Sequence, residues 1–195
     1  MKAKKRFGQN FLTDKKLLED LISLINMTSQ DKFLEIGPGK GDLTENLINF
    51  CDCYFGIELD RDLLTVLKNR FPKNKKAFIN RDILKLNPSE IYPLNKFRVI
   101  GNIPYNISSP ILDWCEKNYE KILDVHFMLQ KEFALRCIGN ERSSSYGKLS
   151  VICNYLYEVT ILKEVTKDFF NPIPKVDSIF VRFSPKKNTL DMKEL

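Results

Sequence analysis

The feature that most constrains this chain is a rhythm in which a short apolar run is followed by a helical pattern and then by another apolar run. Residues 33–36, Phe33-Leu34-Glu35-Ile36, read as a strand, and after a turn from Gly37 to Gly41 the residues Leu43, Leu47 and Ile48 recur at helical spacing. Residues 54–59 read as a second strand, followed after Asp60 by a helix carrying Leu63, Leu64 and Leu67. Residues 77–80, 98–101 and 125–129 supply three more short apolar strands. Strands alternating with helices imply a parallel sheet covered on both faces. The end of the chain breaks the rhythm. Residues 159–165 and 178–183 are strands with no room for a helix between them, so they are expected to pair antiparallel. The fold class that follows is α/β, a doubly wound, Rossmann-like sheet that is mostly parallel, with one antiparallel strand near the C-terminus.

With 195 residues, 43% of them hydrophobic, the chain has material for one domain with a sizeable core. No apolar run reaches the roughly 18 residues of a membrane span, and the N-terminus opens with charge rather than an apolar signal core. A soluble, unexported, cytoplasmic protein with no membrane partner is expected. The five cysteines lack any C-x-x-C pairing, and Cys51-x-Cys53 has no further ligands at metal spacing. They read as free thiols, and no metal site is proposed. The net charge of +6 is concentrated: residues 1–16 carry six basic groups against one acid, and residues 68–85 carry seven against one. Clustering of this kind suits a phosphate backbone, the plain alternative being a solvated lysine-rich face.

Leu34-Glu35-Ile36-Gly37-Pro38-Gly39-Lys40-Gly41 is a glycine-rich turn between a strand and a helix, at the edge where doubly wound sheets bind nucleotides. A dinucleotide site would place its third glycine at position 42, which is Asp42. Here the third glycine falls one residue earlier, in the E-x-G-x-G-x-G form typical of S-adenosylmethionine sites. No G-x-x-x-x-G-K-[ST] is present, which argues against a P-loop. Glu58, 21 residues after Gly37, ends the next strand where a carboxylate accepts from ribose hydroxyls. Asp82 follows the third strand, placed to accept from the cofactor's adenine amino group. The plain alternative for both is a solvated strand-end carboxylate. With this cofactor, the sheet is the methyltransferase variant of the doubly wound fold.

Asn102-Ile103-Pro104-Tyr105 follows the fourth strand and therefore opens beside the glycine loop. An adenine amino nitrogen is a poor nucleophile because its lone pair is delocalised into the ring. The Asn102 side-chain oxygen and the Ile103 carbonyl are placed to accept its two N–H bonds, localising the lone pair and aiming it at the methyl donor. Pro104 fixes the turn and Tyr105 offers a flat face on which a base can stack. The plain alternative is an Asn-x-Pro turn.

These residues carry a resemblance. The chain resembles the ribosomal RNA adenine dimethyltransferases, specifically the small-subunit dimethyladenosine transferases. The match runs from Arg6-Phe7-Gly8-Gln9-Asn10-Phe11-Leu12, through the glycine loop and Asn-Ile-Pro-Tyr, to Phe170-Asn171-Pro172-Ile173-Pro174-Lys175-Val176-Asp177-Ser178. The resemblance implies that Asn10 and Leu12 line the cofactor pocket with Gly37, Gly39, Glu58, Asp82 and Asn102. It also implies that Phe170 approaches the target base opposite Tyr105, where pattern alone reads Phe169-Phe170 as core. It implies S-adenosylmethionine as methyl donor and dimethylation of two adjacent adenosines near the 3′ end of small-subunit rRNA. The implied partner is the immature small ribosomal subunit, met by a monomer. Residues 1–28 then read as a basic segment and cofactor lid, 29–185 as the methyltransferase domain and 186–195 as a tail. The family's small C-terminal helical domain, which helps grip the RNA, is expected to be absent from this sequence.

Three other readings stay open. The antibiotic-resistance methyltransferases of large-subunit rRNA share the cofactor and amine motifs, although Ser145-Tyr146-Gly147-Lys148-Leu149-Ser150 looks more like the small-subunit group. A non-catalytic ribosome-assembly or transcription factor of the same fold is a second, and a DNA adenine methyltransferase a third. His126, Trp114 and Phe127 read as structural residues.

Overall fold

A computed structural model describes residues 9–139 and 146–186. The basic residues Lys4, Lys5 and Arg6, the adjacent Phe7 and Gly8, and Ser145 lie outside them. Strand β1 (Phe11–Leu12) leads to helix α1 (Lys15–Leu24), started by Asp14, whose carboxylate accepts the Leu17 N–H at 2.7 Å. Leu17, Leu18 and Leu21, at spacings of three and four along one face, bury this helix on the sheet. The N-terminal segment is thus part of the core as well as basic. Next come β2 (Lys32–Ile36), α2 (Thr44–Ile48), β3 (Cys53–Glu58), α3 (Arg61–Arg70), β4 (Phe78–Asn80), β5 (Phe97–Asn102), α4 (Ser108–Lys117) and β6 (Ile122–Gln130). The chain closes with α5 (Lys131–Ile138), α6 (Lys148–Leu156), β7 (Tyr157–Val165), β8 (Phe170–Asn171) and β9 (Ser178–Pro185).

The main sheet has the order β4-β3-β2-β5-β6-β9-β7, and β1 pairs separately with β8. Strands β4, β3, β2, β5 and β6 are mutually parallel, as the apolar runs predict. The antiparallel strand is β9, and it slots between β6 and β7. Consecutive residues alternate between two cores, one on each face of the sheet. Leu34, Val99, Phe127 and Val181 belong to one; Phe33, Ile100, Met128 and Phe180 belong to the other. Trp114 packs into the first core with its indole N–H on Leu86 O at 2.9 Å, and Phe127 is fully buried there. His126 is buried beside Phe180, and burial pushes its imidazole down to about 4, so it is a neutral core residue. The five cysteines are unpaired, three of them buried. Among the described residues no helix is long and apolar enough to cross a membrane.

At the amino ends of β5 and β6, away from the glycine turn, Arg98 acts as a bracket. It donates to both carboxylate oxygens of Asp124 (2.9 and 2.8 Å), to Asp31 (2.8 Å) and to the Ile25 carbonyl at the end of α1 (2.7 Å). Its side chain is 9% exposed. Removing it leaves two half-buried carboxylates without their cation, which is the expensive way to break such a network. Arg98→Ala is therefore expected to lower the unfolding free energy by about 3 kcal/mol in urea titration. A loss within the ±0.5 kcal/mol of an ordinary surface change would show that the bracket is dispensable.

Candidate functional site

Because the chain moves from β2 outward to β3 and β4 and then returns to β5 on the other side, the connections after β2 and β5 diverge. A crevice is left at the carboxyl ends of these two strands. The glycine turn fills its floor. Gly37 and Gly39 adopt φ of +62° and +64°, a region that costs any side-chain-bearing residue. At Gly39 space is tight as well, since a Cβ would stand 3.0 Å from the ring of Phe11. The end of β3 lies alongside. Glu58, 6% exposed, accepts the Gly39 N–H (3.1 Å) through one oxygen and the Asp60 N–H (2.9 Å) through the other. Burial pushes its carboxyl above the usual range, with the two amide donors opposing. Asp82, after β4, caps a short turn by accepting the Leu84 N–H at 3.0 Å through Oδ1, which leaves Oδ2 for a ligand.

On the other side of the crevice β5 ends at Asn102. Its Nδ2 donates to the Asn10 carbonyl at 2.7 Å. That bond fixes the amide and leaves Oδ1 as the acceptor. Ile103 donates its N–H to Met128 O at 3.2 Å, which anchors the backbone just before Pro104. Tyr105 opens a single 3-10 turn (Tyr105–Ile107), half-buried, with its hydroxyl 3.2 Å from Ser178 Oγ.

Residues 9–12 form the roof. Gln9 reaches the Asp60 carboxylate at 3.2 Å, and the Phe11 ring lies against Gly39 with Lys40 Nζ 4.6 Å from its centre. Strand β1 pairs with β8, Phe11 with Asn171 and Leu12 with Phe170. The Asn10 amide is best satisfied with its nitrogen donating to Pro172 O at 3.1 Å.

One pocket of about 380 Å³ gathers Asn10, Leu12, Gly37, Gly39, Glu58, Asp82, Asn102, Ile103, Pro104 and Tyr105. The exception is Phe170, expected to face the base opposite Tyr105. It does not line the pocket and is 2% exposed, packed in the core that holds Leu12, Val165 and Phe180. Pairing with Leu12 turns its ring inward, while Phe169 and Ile173 on either side of it face outward. The pattern reading of Phe170 as core is the one this geometry supports. Two members of the 68–85 basic cluster are also spoken for. Arg70 binds Asp42, Glu45 and the Lys40 carbonyl, and Arg81 binds Glu90. Both hold protein rather than offering free charge to phosphate.

The pocket also takes in residues that no motif flagged, among them the apolar side chains of Leu59 and Leu84. Both are more than a third exposed, a signal visible only once strand ends and turns are placed. Glu35 is the second surprise. Read only as the first letter of the glycine motif, it is 2% exposed, and one oxygen accepts both the Thr44 hydroxyl (2.7 Å) and the Tyr54 hydroxyl (2.5 Å). It clamps β2, β3 and the start of α2 beneath the loop. Burial, opposed by these two donors, raises its carboxyl to about 7.

Donor chemistry and shape fit the cofactor that the motif implies. A dry carboxylate, a backbone free of side chains and an apolar rim are what a nucleoside with two vicinal hydroxyls requires.

The sequence model of the ribosomal RNA adenine dimethylase family matches residues 1–195. The ribosomal RNA small subunit methyltransferase A of Methylobacillus flagellatus is 43% identical over 183 residues, 94% of this chain and 71% of that protein. A dimethyladenosine transferase from Plasmodium falciparum superposes with a TM-score of 0.80 at 30% identity, covering 91% of this chain and 64% of that one. The 23S rRNA methyltransferase ErmE superposes with a TM-score of 0.80 at 29% identity, over 94% of this chain and 73% of that one.

The raised pKa of Glu35 has a stability consequence with a definite sign. The folded state holds this proton more tightly than the unfolded state, so its contribution is full below the ordinary value of 4.5 and is lost as pH rises through about 7. Glu35→Gln keeps an acceptor and removes the titration. Between pH 5 and pH 8 the wild type should lose roughly 2–3 kcal/mol more unfolding free energy than Glu35→Gln. Equal pH slopes in urea titrations would show that Glu35 ionises normally.

Proposed function

Since this chain belongs to the ribosomal RNA adenine dimethylase family, we propose that its pocket binds S-adenosylmethionine and methylates the 6-amino group of adenosines in small-subunit rRNA. The two adjacent adenosines near the 3′ end of that RNA are the targets, and the immature small subunit is the partner. The observation that carries this reading is the state of Asn102. Its nitrogen is committed to the Asn10 carbonyl, so an acceptor oxygen faces a pocket shared by the glycine loop and an aromatic ring.

Bound S-adenosylmethionine supplies a methyl group made electrophilic by its sulfonium. Glu58 accepts the ribose hydroxyls and Asp82 the adenine amino group, and Gly37 and Gly39 allow the backbone close approach. Residues 9–12 serve as the lid, latched by Gln9 on Asp60 and by Phe11 on Gly39. Asn102 Oδ1 and the Ile103 carbonyl each accept one N–H of the target amine, which returns its lone pair to the nitrogen. Tyr105 holds the base by stacking. No strong general base is needed, because the amine acquires its excess proton only as the new C–N bond forms and the sulfur–methyl bond breaks to leave a neutral thioether, and that acidic proton then passes to water.

The test is incubation with labelled S-adenosylmethionine and, in parallel reactions, unmethylated immature small subunits and unmethylated large subunits, followed by mapping of the label. Dimethylated adenosines near the 3′ end support the proposal. Label in large-subunit rRNA would reassign the substrate to the reaction named for ErmE, and no label in either would mark a binding factor. Asn102→Ala should sharply lower the single-turnover rate at saturating cofactor, and a full rate would overturn the amine-holding role. Glu58→Ala should weaken S-adenosylmethionine binding by about 1.5–3 kcal/mol in calorimetry, the value of a charge-assisted acceptor. Unchanged affinity would remove Glu58 from the site.

A further inference from the structure

A stacking ring needs no hydroxyl, since the face carries the interaction whatever the ring bears at its tip. The Tyr105 hydroxyl nevertheless has a partner 73 residues away, Ser178 Oγ at 3.2 Å. The two ends of this hydrogen bond differ in how firmly they are held. Ser178 is fully buried at the start of β9, paired with Gln130 of β6 on one side and Val165 of β7 on the other. The residue before it is fixed as well. The Asp177 carbonyl accepts the Lys131 N–H at 2.9 Å, and its side chain accepts the Lys167 N–H at 3.0 Å. Ser178 Oγ is therefore a fixed point of the sheet.

Tyr105 has no comparable support from its own backbone. It begins one 3-10 turn that no side chain caps, directly after Pro104. Left alone, its ring would swing about χ1 among the staggered wells. A bond at the para position restrains that swing at the point of greatest leverage. Because a phenol accepts and donates near its own plane, the bond also biases the tilt of the ring.

We propose that Ser178 is a positioning residue for the methyl transfer: its hydroxyl holds the tip of the Tyr105 ring, so that the ring face stands ready for the base whose amine Asn102 and Ile103 hold. The inference rests on the reading of the pocket given above. Ser178 touches neither substrate nor cofactor and acts through Tyr105 alone. Its removal should therefore leave cofactor affinity intact while slowing transfer from a bound, misaligned base.

The test is a double-mutant cycle on the full chain, read by single-turnover methylation of immature small subunits at saturating subunit and S-adenosylmethionine. Ser178→Ala and Tyr105→Phe should each slow transfer by about three- to tenfold, the range of one neutral hydrogen bond. The affinity for S-adenosylmethionine, measured by calorimetry, should not change in either. The double variant should be no slower than the slower single one, because both remove the same bond. A full rate for Ser178→Ala, or a double variant slowed by the product of the two single effects, overturns the proposal. If Ser178→Ala does not fold, as judged by its thermal melt, Tyr105→Phe breaks the bond from the other end without touching β9, and a full rate there overturns it equally. A wild-type protein that transfers no methyl takes down the functional reading and this inference together. An active wild type with undiminished variants removes only the inference.

Discussion

Hydrogen-bonded pairing of β2 with β5, from Phe33 with Arg98 to Glu35 with Ile100, sets two strand ends side by side whose connections leave in opposite directions. The glycine loop grows from one end and Asn102-Ile103-Pro104-Tyr105 from the other. The register therefore determines how far the loop lies from the amine-holding residues, and a slip by one residue would turn Asn102 to the opposite face. Gly101 shows how tight this junction is, for a Cβ there would lie 2.7 Å from the Ile36 carbonyl oxygen. The two strands approach closely enough that only glycine fits where the crevice opens.

Polar groups buried at the two ends of the sheet have opposite tasks. At the amino ends Arg98 joins α1 to β5 and β6 through the carboxylate of Asp124 and the carbonyl of Ile25. At the carboxyl ends Glu35 and Glu58 are held by hydroxyl and amide donors instead of cations. A cation at that end would compete with the loop for the carboxylates. Neutral donors leave Glu58 as an acceptor, which is why burial rather than a salt bridge governs its protonation.

Much of this was legible from residue order, for reasons that are local. Apolar runs such as residues 125–129 are buried on both faces, so they read as strands without any knowledge of their neighbours. The glycine spacing and Asn102 to Tyr105 were legible because each is a contiguous turn whose chemistry is carried by adjacent residues. What escaped depends on distant contacts. The pattern read Phe169 and Phe170 alike as core, but only Phe170 faces inward, because β8 meets β1 more than 150 residues earlier and no period in the sequence encodes that pairing. Arg70 and Arg81 looked like free charge until Asp42, Glu45 and Glu90 folded against them. Helix α1 was hidden by the lysines around it, although Leu17, Leu18 and Leu21 carry a helical stripe.

The β1–β8 ribbon joins two things that chemistry keeps separate. Its first strand belongs to the roof over the glycine loop, and its second opens the segment that runs to Ser178 and the tip of Tyr105. Neither strand pairs with the main sheet; the ribbon is held by its own pairing, by Leu12 and Phe170 in the core and by the Asn10 carbonyl on Asn102. A change that loosens either strand therefore reaches both the roof over the glycine loop and the segment that leads to Ser178 and Tyr105.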